Sequence, residues 1–471
     1  MPTVRILWSR LCCLALFALL ATHLAAAQGT GYWHTHGSQI EDDQGRAVRI
    51  AGINWFGFET SEMVVHGLQN QGYRQILHLI KTSGFNTIRL PYSSQMVEHP
   101  IVPRLEKGEG KANSELAGLN AQQIMDRILA AAGDEGLKVI LDNHRSEAGN
   151  SNQRSGLWYS AAYPEENWIA DWQQLVARYS SYTDPNGNPT LIGVDLRNEP
   201  FRMVNGQPTG SCWTGDQNAG GCPITDAAHN WPAAAQRAAT TILNANPKLL
   251  IFVEGVDCYS GKCNWQGGNL MGAGQFPVEL PYSGHLVYSA HDYGPSVSPQ
   301  PWFTPATTPA SLQQHWSEQW AYLAQQNIAP VWLGEFGSGN KDSDLQSTLA
   351  GSQGQWFSTM IGFLRAQSSI HWSYWALNGE DPTGLLSQNY EAAQNSQKLD
   401  QLASIEFPLA LTPASAPPAI ATTPATDEAP PPSSKKTRLF LLIGGLALVM
   451  AALVLLQIRQ QSKPDKPDQE R

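Results

Sequence analysis

Leu191-Ile192-Gly193-Val194-Asp195-Leu196-Arg197-Asn198-Glu199-Pro200 changes character halfway along. Its first half is apolar enough for a buried strand. Its second half presents Asn198 and Glu199 and stops at Pro200, which cannot donate to a continuing ladder. A strand that ends in a carboxylate with a breaker behind it places that carboxylate at the rim of a sheet. The pattern recurs at Val331-Trp332-Leu333-Gly334-Glu335-Phe336-Gly337. Two strand-end glutamates invite a two-carboxylate mechanism.

Outward from this stretch, strand-like runs appear at Val48–Ile53, Thr87–Leu90, Lys138–Leu141, Leu191–Leu196, Leu249–Val253, Leu286–Ser289, Pro330–Leu333 and Ile370–Trp375. A hairpin precedes them, with 38–40 and 47–50 joined through Asp43-Gln44-Gly45. Helical stripes fill the gaps: Tyr73, Ile76, Leu77 and Ile80 before Gly84; Ile124, Ile128 and Leu129 before Gly133; Trp168, Trp172, Leu175 and Tyr179; and Leu312, Trp316, Trp320 and Leu323, with Ser311 as the expected cap. Strands alternating with helices imply a parallel sheet, and eight of them imply an α/β fold closed as a (β/α)8 TIM barrel behind an N-terminal β-hairpin. An open doubly wound sheet is the alternative. No G-x-G-x-x-G follows the first strand, so dinucleotide binding has no support. Long loops at 143–166, 200–226 and 256–284 each follow a strand and should crowd the active-site face.

In a barrel the carboxyl ends of the strands face one cleft. Those ends supply Arg89, His144, Asn198 with Glu199, His291 with Tyr293, Glu335 and Trp375. This set suits glycoside hydrolysis, in which one carboxyl gives a proton to the leaving oxygen and the other attacks or stabilises the sugar. Arg89 and Tyr293 would keep one carboxyl ionised, and proximity of like charge would keep the other protonated. Trp375 offers a flat apolar face for a pyranose ring. Spacing alone does not say which glutamate does which task.

The 471 residues carry a net charge of −10, with only 15% charged side chains and 16 Trp. An acidic chain without a long central basic run argues against nucleic acid, whose phosphates need clustered Lys and Arg. The Trp excess points beyond the core. The Trp stripes on helices read as core, whereas Trp55, Trp158, Trp213, Trp265 and Trp302, at strand ends or in long loops, are divided between loop packing and extra sugar subsites. Glu59, Asp142, Asp195 and Glu254 read as structural.

The amino terminus reads as a signal peptide over 1–27: Arg5 and Arg10 flank a basic start, Leu11–Leu20 is apolar, and Ala25-Ala26-Ala27 supplies a cleavage site. In an exported chain, Cys212, Cys222, Cys258 and Cys263 suggest two disulfides, and proximity favours 212 with 222 and 258 with 263. A zinc site is the rival, but no C-x-x-C or His spacing supports it, and no metal is expected. A catalytic domain over 29–407 would be followed by a Pro/Ala/Thr-rich linker over 408–434. The charge-free run from Leu439, extended to Ile458, is about 20 residues long and reads as a transmembrane helix, with 459–471 as a short polar tail. The chain would then be exported, on the cell-surface or periplasmic side, and anchored in the membrane by that C-terminal helix. Lys and Arg are similar on both flanks of the run, so they do not settle its orientation. The sequence names no protein partner.

Arg89, His144, Asn198-Glu199-Pro200, His291-x-Tyr293, Gly334-Glu335-Phe336-Gly337 and Trp375, in this order, resemble the signature of glycoside hydrolase family 5 cellulases, notably bacterial endo-β-1,4-glucanases. Gly31-Tyr32-Trp33-His34-Thr35 and the stretch from Arg49 to Thr60 extend the likeness over about Gly31–Ile405. The resemblance implies a retaining mechanism without a cofactor. It makes Glu199 the acid/base and Glu335 the nucleophile. Asn198 would bind the sugar 2-hydroxyl, Arg89 and Tyr293 would orient Glu335, His144 and His291 would support the pair, and Trp375 would floor the cleaved subsite. A β-glucan polysaccharide is the implied substrate. The same chemistry on mannan, xylan or mixed-linkage glucan stays open, as does a non-catalytic carbohydrate-binding surface protein. Many relatives carry a carbohydrate-binding module after the linker; here an apparent anchor stands in its place.

Overall fold

Eight parallel strands close into a barrel in the computed structural model. They are β1 (Ala51–Asn54), β2 (Thr87–Ser93), β3 (Lys138–Arg145), β4 (Leu191–Asp195), β5 (Leu250–Glu254), β6 (Leu286–His291), β7 (Val331–Phe336) and β8 (Ile370–Tyr374). Each pairs with its sequence neighbours, and β8 returns to β1. The structure describes residues 29–105, 112–151, 154–215 and 221–406, all within one compact unit, Met1–Leu411. The expected signal peptide, linker, transmembrane helix and polar tail lie outside the described residues. Among the described residues no helix is long and apolar enough to cross a membrane.

The barrel holds two cores. Inside it, Ile140, Ile192, Leu250, Phe252, Val287 and Trp332 pack with Trp33, Ile40, Val48 and Ile50. The last four come from the N-terminal segment, which is a three-stranded antiparallel sheet (34–36, 39–41, 47–48) rather than a two-stranded hairpin. Its tight turn is held by Asp42, whose Oδ1 accepts the N–H of Gln44 and of Arg46. This sheet fills the end of the barrel with apolar side chains. The strand expected from Val48 therefore splits, with Val48 ending the small sheet and Ala51 beginning β1.

Outside the barrel lie the helices of eight or more residues: α1 (Tyr73–Thr82), α2 (Ala121–Asp134), α3 (Glu165–Tyr179), α4 (Trp231–Ala245), α5 (Pro309–Trp316), α6 (Gln353–Ala366) and α7 (Ser396–Ala403). Their apolar stripes face the strands, as helical periodicity requires. Among the described residues twelve tryptophans are fully buried, including those of α3 and α5, so most of the Trp excess is core after all. Two caps differ from expectation. Thr308 caps α5, and Ser311 is its reciprocal partner three residues on. Gly133 lies within α2, where a Cβ would stand 2.5 Å from Thr190 Oγ1; Gly136, at φ +68°, follows the helix end instead.

One unit of the barrel is incomplete. Between β5 and β6 there is no helix, only a two-stranded ribbon (258–259 with 262–263) and irregular chain that buries Leu270, Ala273 and Val278. Cys258 stands opposite Cys263 in that ribbon and is disulfide-bonded to it, and Cys212 is bonded to Cys222. Both bridges clamp loops on the side of the barrel where the strands end. Register shifts at Tyr92/Ser93, Ala290/His291 and Leu333/Phe336 fall at the carboxyl ends of β2, β6 and β7. Such bulges re-aim side chains, and here they bring His291 level with Glu335.

Candidate active site

Arg89 is the hub. It sits on β2 with no exposure, and its guanidinium reaches a ring of acceptors at the ends of the other strands. Nε donates to Asp195 Oδ2 at 3.0 Å. Nη1 donates to Glu335 Oε1 at 2.6 Å and to Asn54 Oδ1 at 3.1 Å. Nη2 donates to Asn198 Oδ1 at 2.9 Å and lies 3.1 Å from Asp142 Oδ2 and 3.3 Å from Glu254 Oε1. One buried cation thus faces four carboxylates, an arrangement that is costly unless some of them keep a proton. Asp195 is pushed well above its ordinary range, by burial first and by the charge of Glu254 second.

Glu335 ends β7 almost fully buried. Its second oxygen accepts the Tyr293 hydroxyl at 2.7 Å. Burial alone would raise its pKa, but the positive charges of His291 and Arg89 outweigh that and hold it below the ordinary value. Glu199 follows β4 with its side chain 22% exposed, and His291 Nδ1 stands 3.1 Å from its Oε1. Burial raises the pKa of Glu199, and the charges of Glu335 and Glu254 add to the rise against the opposing hydrogen bond to His291. An oxygen of each glutamate lies within 4.8 Å of the other. The main chain at Glu199 has φ +47°; non-glycine residues in this region are uncommon and concentrate at functional sites.

His144 ends β3 with Nδ1 2.6 Å from Asp142 Oδ2, which fixes the ring. Its face lies along Trp375, at 5.6 Å between centroids and 17° between planes. Phe56 stacks on Trp375 as well, at 5.4 Å and 10°. The indole N–H of Trp375 donates to Asp381 Oδ2 at 3.2 Å, and its carbonyl accepts from Thr383 Oγ1 at 2.8 Å. The Trp375–Ala376 peptide bond is cis. Arg89 holds the Asn198 side chain by its oxygen, which turns the amide nitrogen away from the arginine.

All eight strand-end residues converge. His144, Asn198, Glu199, Tyr293, Glu335 and Trp375 line one cavity of about 200 Å³, with Arg89 and His291 beneath it. Arg145, Phe201, Gln266 and Val297 complete the lining. Past Tyr293, Val297 and Trp375, it meets a wider polar groove of about 860 Å³ that includes Lys341, Asp344 and Asp381.

The extra aromatic residues separate into two groups. Trp55, Trp158 and Trp213 are buried to 1% or less, so none can serve as an open subsite. Their indole N–H groups are satisfied within the protein, by His66 O, Glu165 Oε2 and Phe276 O respectively. Trp265 and Trp302 remain partly exposed. Trp265 stands edge-on to Tyr293 at 5.7 Å, and Trp302 lies edge-on to Trp265 at 6.5 Å and stacks on His315 at 4.5 Å. Asp142, Asp195 and Glu254, expected from the sequence to be structural, all lie against the hub of the site itself. Asn54 and Gln266 were missed. Asn54 ends β1, so the strand-end rule would have found it; Gln266 sits in a loop with no such signal.

The model of the cellulase family, glycosyl hydrolase family 5, matches residues 42–381. The chain belongs to glycosyl hydrolase family 5. It is accordingly a glycoside hydrolase. An endoglucanase of Paenibacillus polymyxa is 39% identical over 389 residues, which cover 82% of this chain and 89% of that protein. The major extracellular endoglucanase of Xanthomonas campestris is 29% identical over 387 residues, or 80% of this chain and 72% of that one. Among solved structures, the endocellulase of Pyrococcus horikoshii in complex with cellotetraose matches with a TM-score of 0.68 at 31% identity, covering 80% of this chain and 99% of that one. The family match ends at residue 381, whereas Thr383, which holds the Trp375 carbonyl, lies just beyond it.

Proposed function

We propose that this family 5 hydrolase cleaves internal β-1,4-glucosidic bonds of cellulose or a related β-glucan with retention of configuration. Glu199 protonates the departing oxygen while Glu335 attacks the anomeric carbon and forms a glycosyl-enzyme ester. Glu199 then takes a proton from the water that opens the ester, and both carboxyls return to their starting states. The observation that carries this reading is the pair itself. The two carboxyls lie within 4.8 Å at their nearest oxygens, with the pKa of Glu199 raised and that of Glu335 lowered. Retaining enzymes keep their carboxyls about 5–5.5 Å apart, whereas inverting ones leave roughly 6.5–9.5 Å for a water.

Arg89 and Tyr293 hold Glu335 for attack, Asn198 presents its amide to a sugar hydroxyl, His144 and His291 support the pair, and Trp375 provides the sugar platform. Trp265 and Trp302 are further stacking candidates along the cleft. Cellulose is favoured because the relatives are endoglucanases and one solved relative was captured with cellotetraose. A non-catalytic binding protein would have no need of two close glutamates whose pKa values are pushed in opposite directions. Glu335→Gln should abolish reducing-sugar release from carboxymethyl cellulose while the fold is retained, and undiminished turnover would refute the assignment. A panel with mannan, xylan and mixed-linkage glucan decides the substrate by comparing product release.

Around this domain we place a signal peptide (1–27), a spacer (408–434) and a membrane-spanning helix (439–458), which together make an exported enzyme tethered to a membrane. The support is the sequence pattern, together with two disulfides that suit an oxidising compartment. Deleting residues 439–471 should release the enzyme from the membrane fraction; retention there would mean either that the signal peptide is kept or that the anchor reading is wrong.

A further inference from the structure

Glu254 ends β5 with no exposure, and the reaction outlined above gives it no part. It nevertheless meets the site at three points. Oε2 accepts the main-chain N–H of Glu199 at 2.7 Å. Oε1 lies 3.2 Å from His291 Nε2 and 3.3 Å from Arg89 Nη2. The other imidazole nitrogen of His291 is the one that faces the Glu199 carboxyl. Glu254 thus reaches Glu199 twice, through the main chain and across the imidazole ring.

The main-chain contact is on a residue that needs holding. Glu199 occupies the left-handed region, which costs a residue with a Cβ unless its surroundings enforce it. Gly267 closes over the same spot. A Cβ there would stand 2.2 Å from Glu254 Oε2 and 3.3 Å from Glu199 Cα. The charged groups around Glu254 are Asp195 and His291 on the adjoining strands β4 and β6 and Arg89 from β2 across the barrel, with Asp142 on β3 and Glu335 on β7 reached through Arg89. A buried carboxylate 3.2 Å from an imidazole nitrogen, a charge contact rather than an aligned hydrogen bond, stands where a second-layer carboxylate stands to a ligating histidine.

We infer that Glu254 is a positioning residue for the proton donor: it locks the Glu199 main chain in its left-handed turn and orients His291 with Nδ1 toward the Glu199 carboxyl. The inference rests on Glu199 being the acid. Glu254→Gln keeps the shape and an oxygen for the Glu199 N–H, but removes the charge that faces Arg89 and His291. The readout is the dependence on leaving group. Cellotetraose must have its departing oxygen protonated, whereas 2,4-dinitrophenyl β-cellobioside releases a phenolate that needs no proton.

For Glu254→Gln, kcat/KM on cellotetraose should fall roughly tenfold to a hundredfold, part of what a positioned general acid supplies, while kcat/KM on the aryl cellobioside stays within about twofold. Equal losses on both substrates, or none on either, would overturn the inference. Gly267→Ala, which pushes on the same contact from outside, should show the same split and serves if Glu254→Gln does not fold. Glu199→Gln is the reference. If it lacks the split, the donor assignment is wrong and the inference falls with it. If it has the split and neither second-site variant does, the inference alone is overturned.

Discussion

Two glutamates of the same chemistry become different acids because their surroundings differ. Glu335 faces a guanidinium and a phenol, and Glu199 faces a shared imidazole and two like charges. Removing the phenol is a direct probe. Tyr293→Phe deletes a hydrogen bond to an ionised carboxylate, worth about 1.5–3 kcal/mol, so kcat/KM should drop on the order of tenfold to a hundredfold. The acid limb of the pH–rate profile should also move to higher pH, because Glu335 loses a donor that holds it ionised. Asp292 gives a stability test with a definite sign. Burial pushes this carboxyl up to about 7, although the indole N–H of Trp356 bonds it at 2.9 Å. A raised acid lends stability below its unfolded value near 4, and that contribution is lost as pH rises toward about 7. Urea unfolding of Asp292→Asn should therefore show a flatter fall in stability between pH 4 and pH 7 than the parent.

At the level of elements, the strand ends were legible because a barrel strand is an apolar run that stops, and whatever polar residue follows it faces the cleft. Glu199 and His291 obey that rule, Glu335 stands one residue before the end of β7, and Arg89 lies inside β2. What could not be read was which side of a loop a side chain faces. Trp158 and Trp213 occupy long loops yet join the main hydrophobic core, and nothing in their spacing separates them from Trp265, which stands edge-on to Tyr293. Cap positions failed for a related reason. Thr308 and Ser311 are both good cap residues, and only the chain direction at Pro309 decides between them. Lys398 on α7 was invisible as well. It is buried without exposure and donates to the carbonyls of Ser338 and Thr383, joining the loops after β7 and β8. Lys398→Met should cost roughly 1–3 kcal/mol in chemical denaturation through the acceptors it leaves short. Reducing the disulfides should have a bounded effect, since their closures span only 10 and 5 residues. About 2–3 kcal/mol per bridge is expected, with the barrel still folded by circular dichroism.

For the whole molecule, the barrel supplies what no single element could. It brings side chains from β1, β3, β4, β5 and β7 to one cation on β2 and buries them at the floor of the cleft. Two carboxyls shifted in opposite directions then lie within 4.8 Å at their nearest oxygens. The hub itself was beyond sequence reading, because Asp142, Asp195, Glu254 and Arg89 are far apart in the chain and meet only on closure. That geometry also commits the enzyme to a stereochemical outcome. Oxygens within 4.8 Å suit the close pair of a retaining enzyme better than the wider pair of an inverting one, so the first-formed product should keep the configuration of the bond cleaved. The most direct test is proton NMR of the anomeric signals in the first minutes of cello-oligosaccharide hydrolysis. The β-anomer should appear first and the α-anomer only later by mutarotation; an α-anomer formed first would contradict the two-glutamate displacement proposed for Glu199 and Glu335.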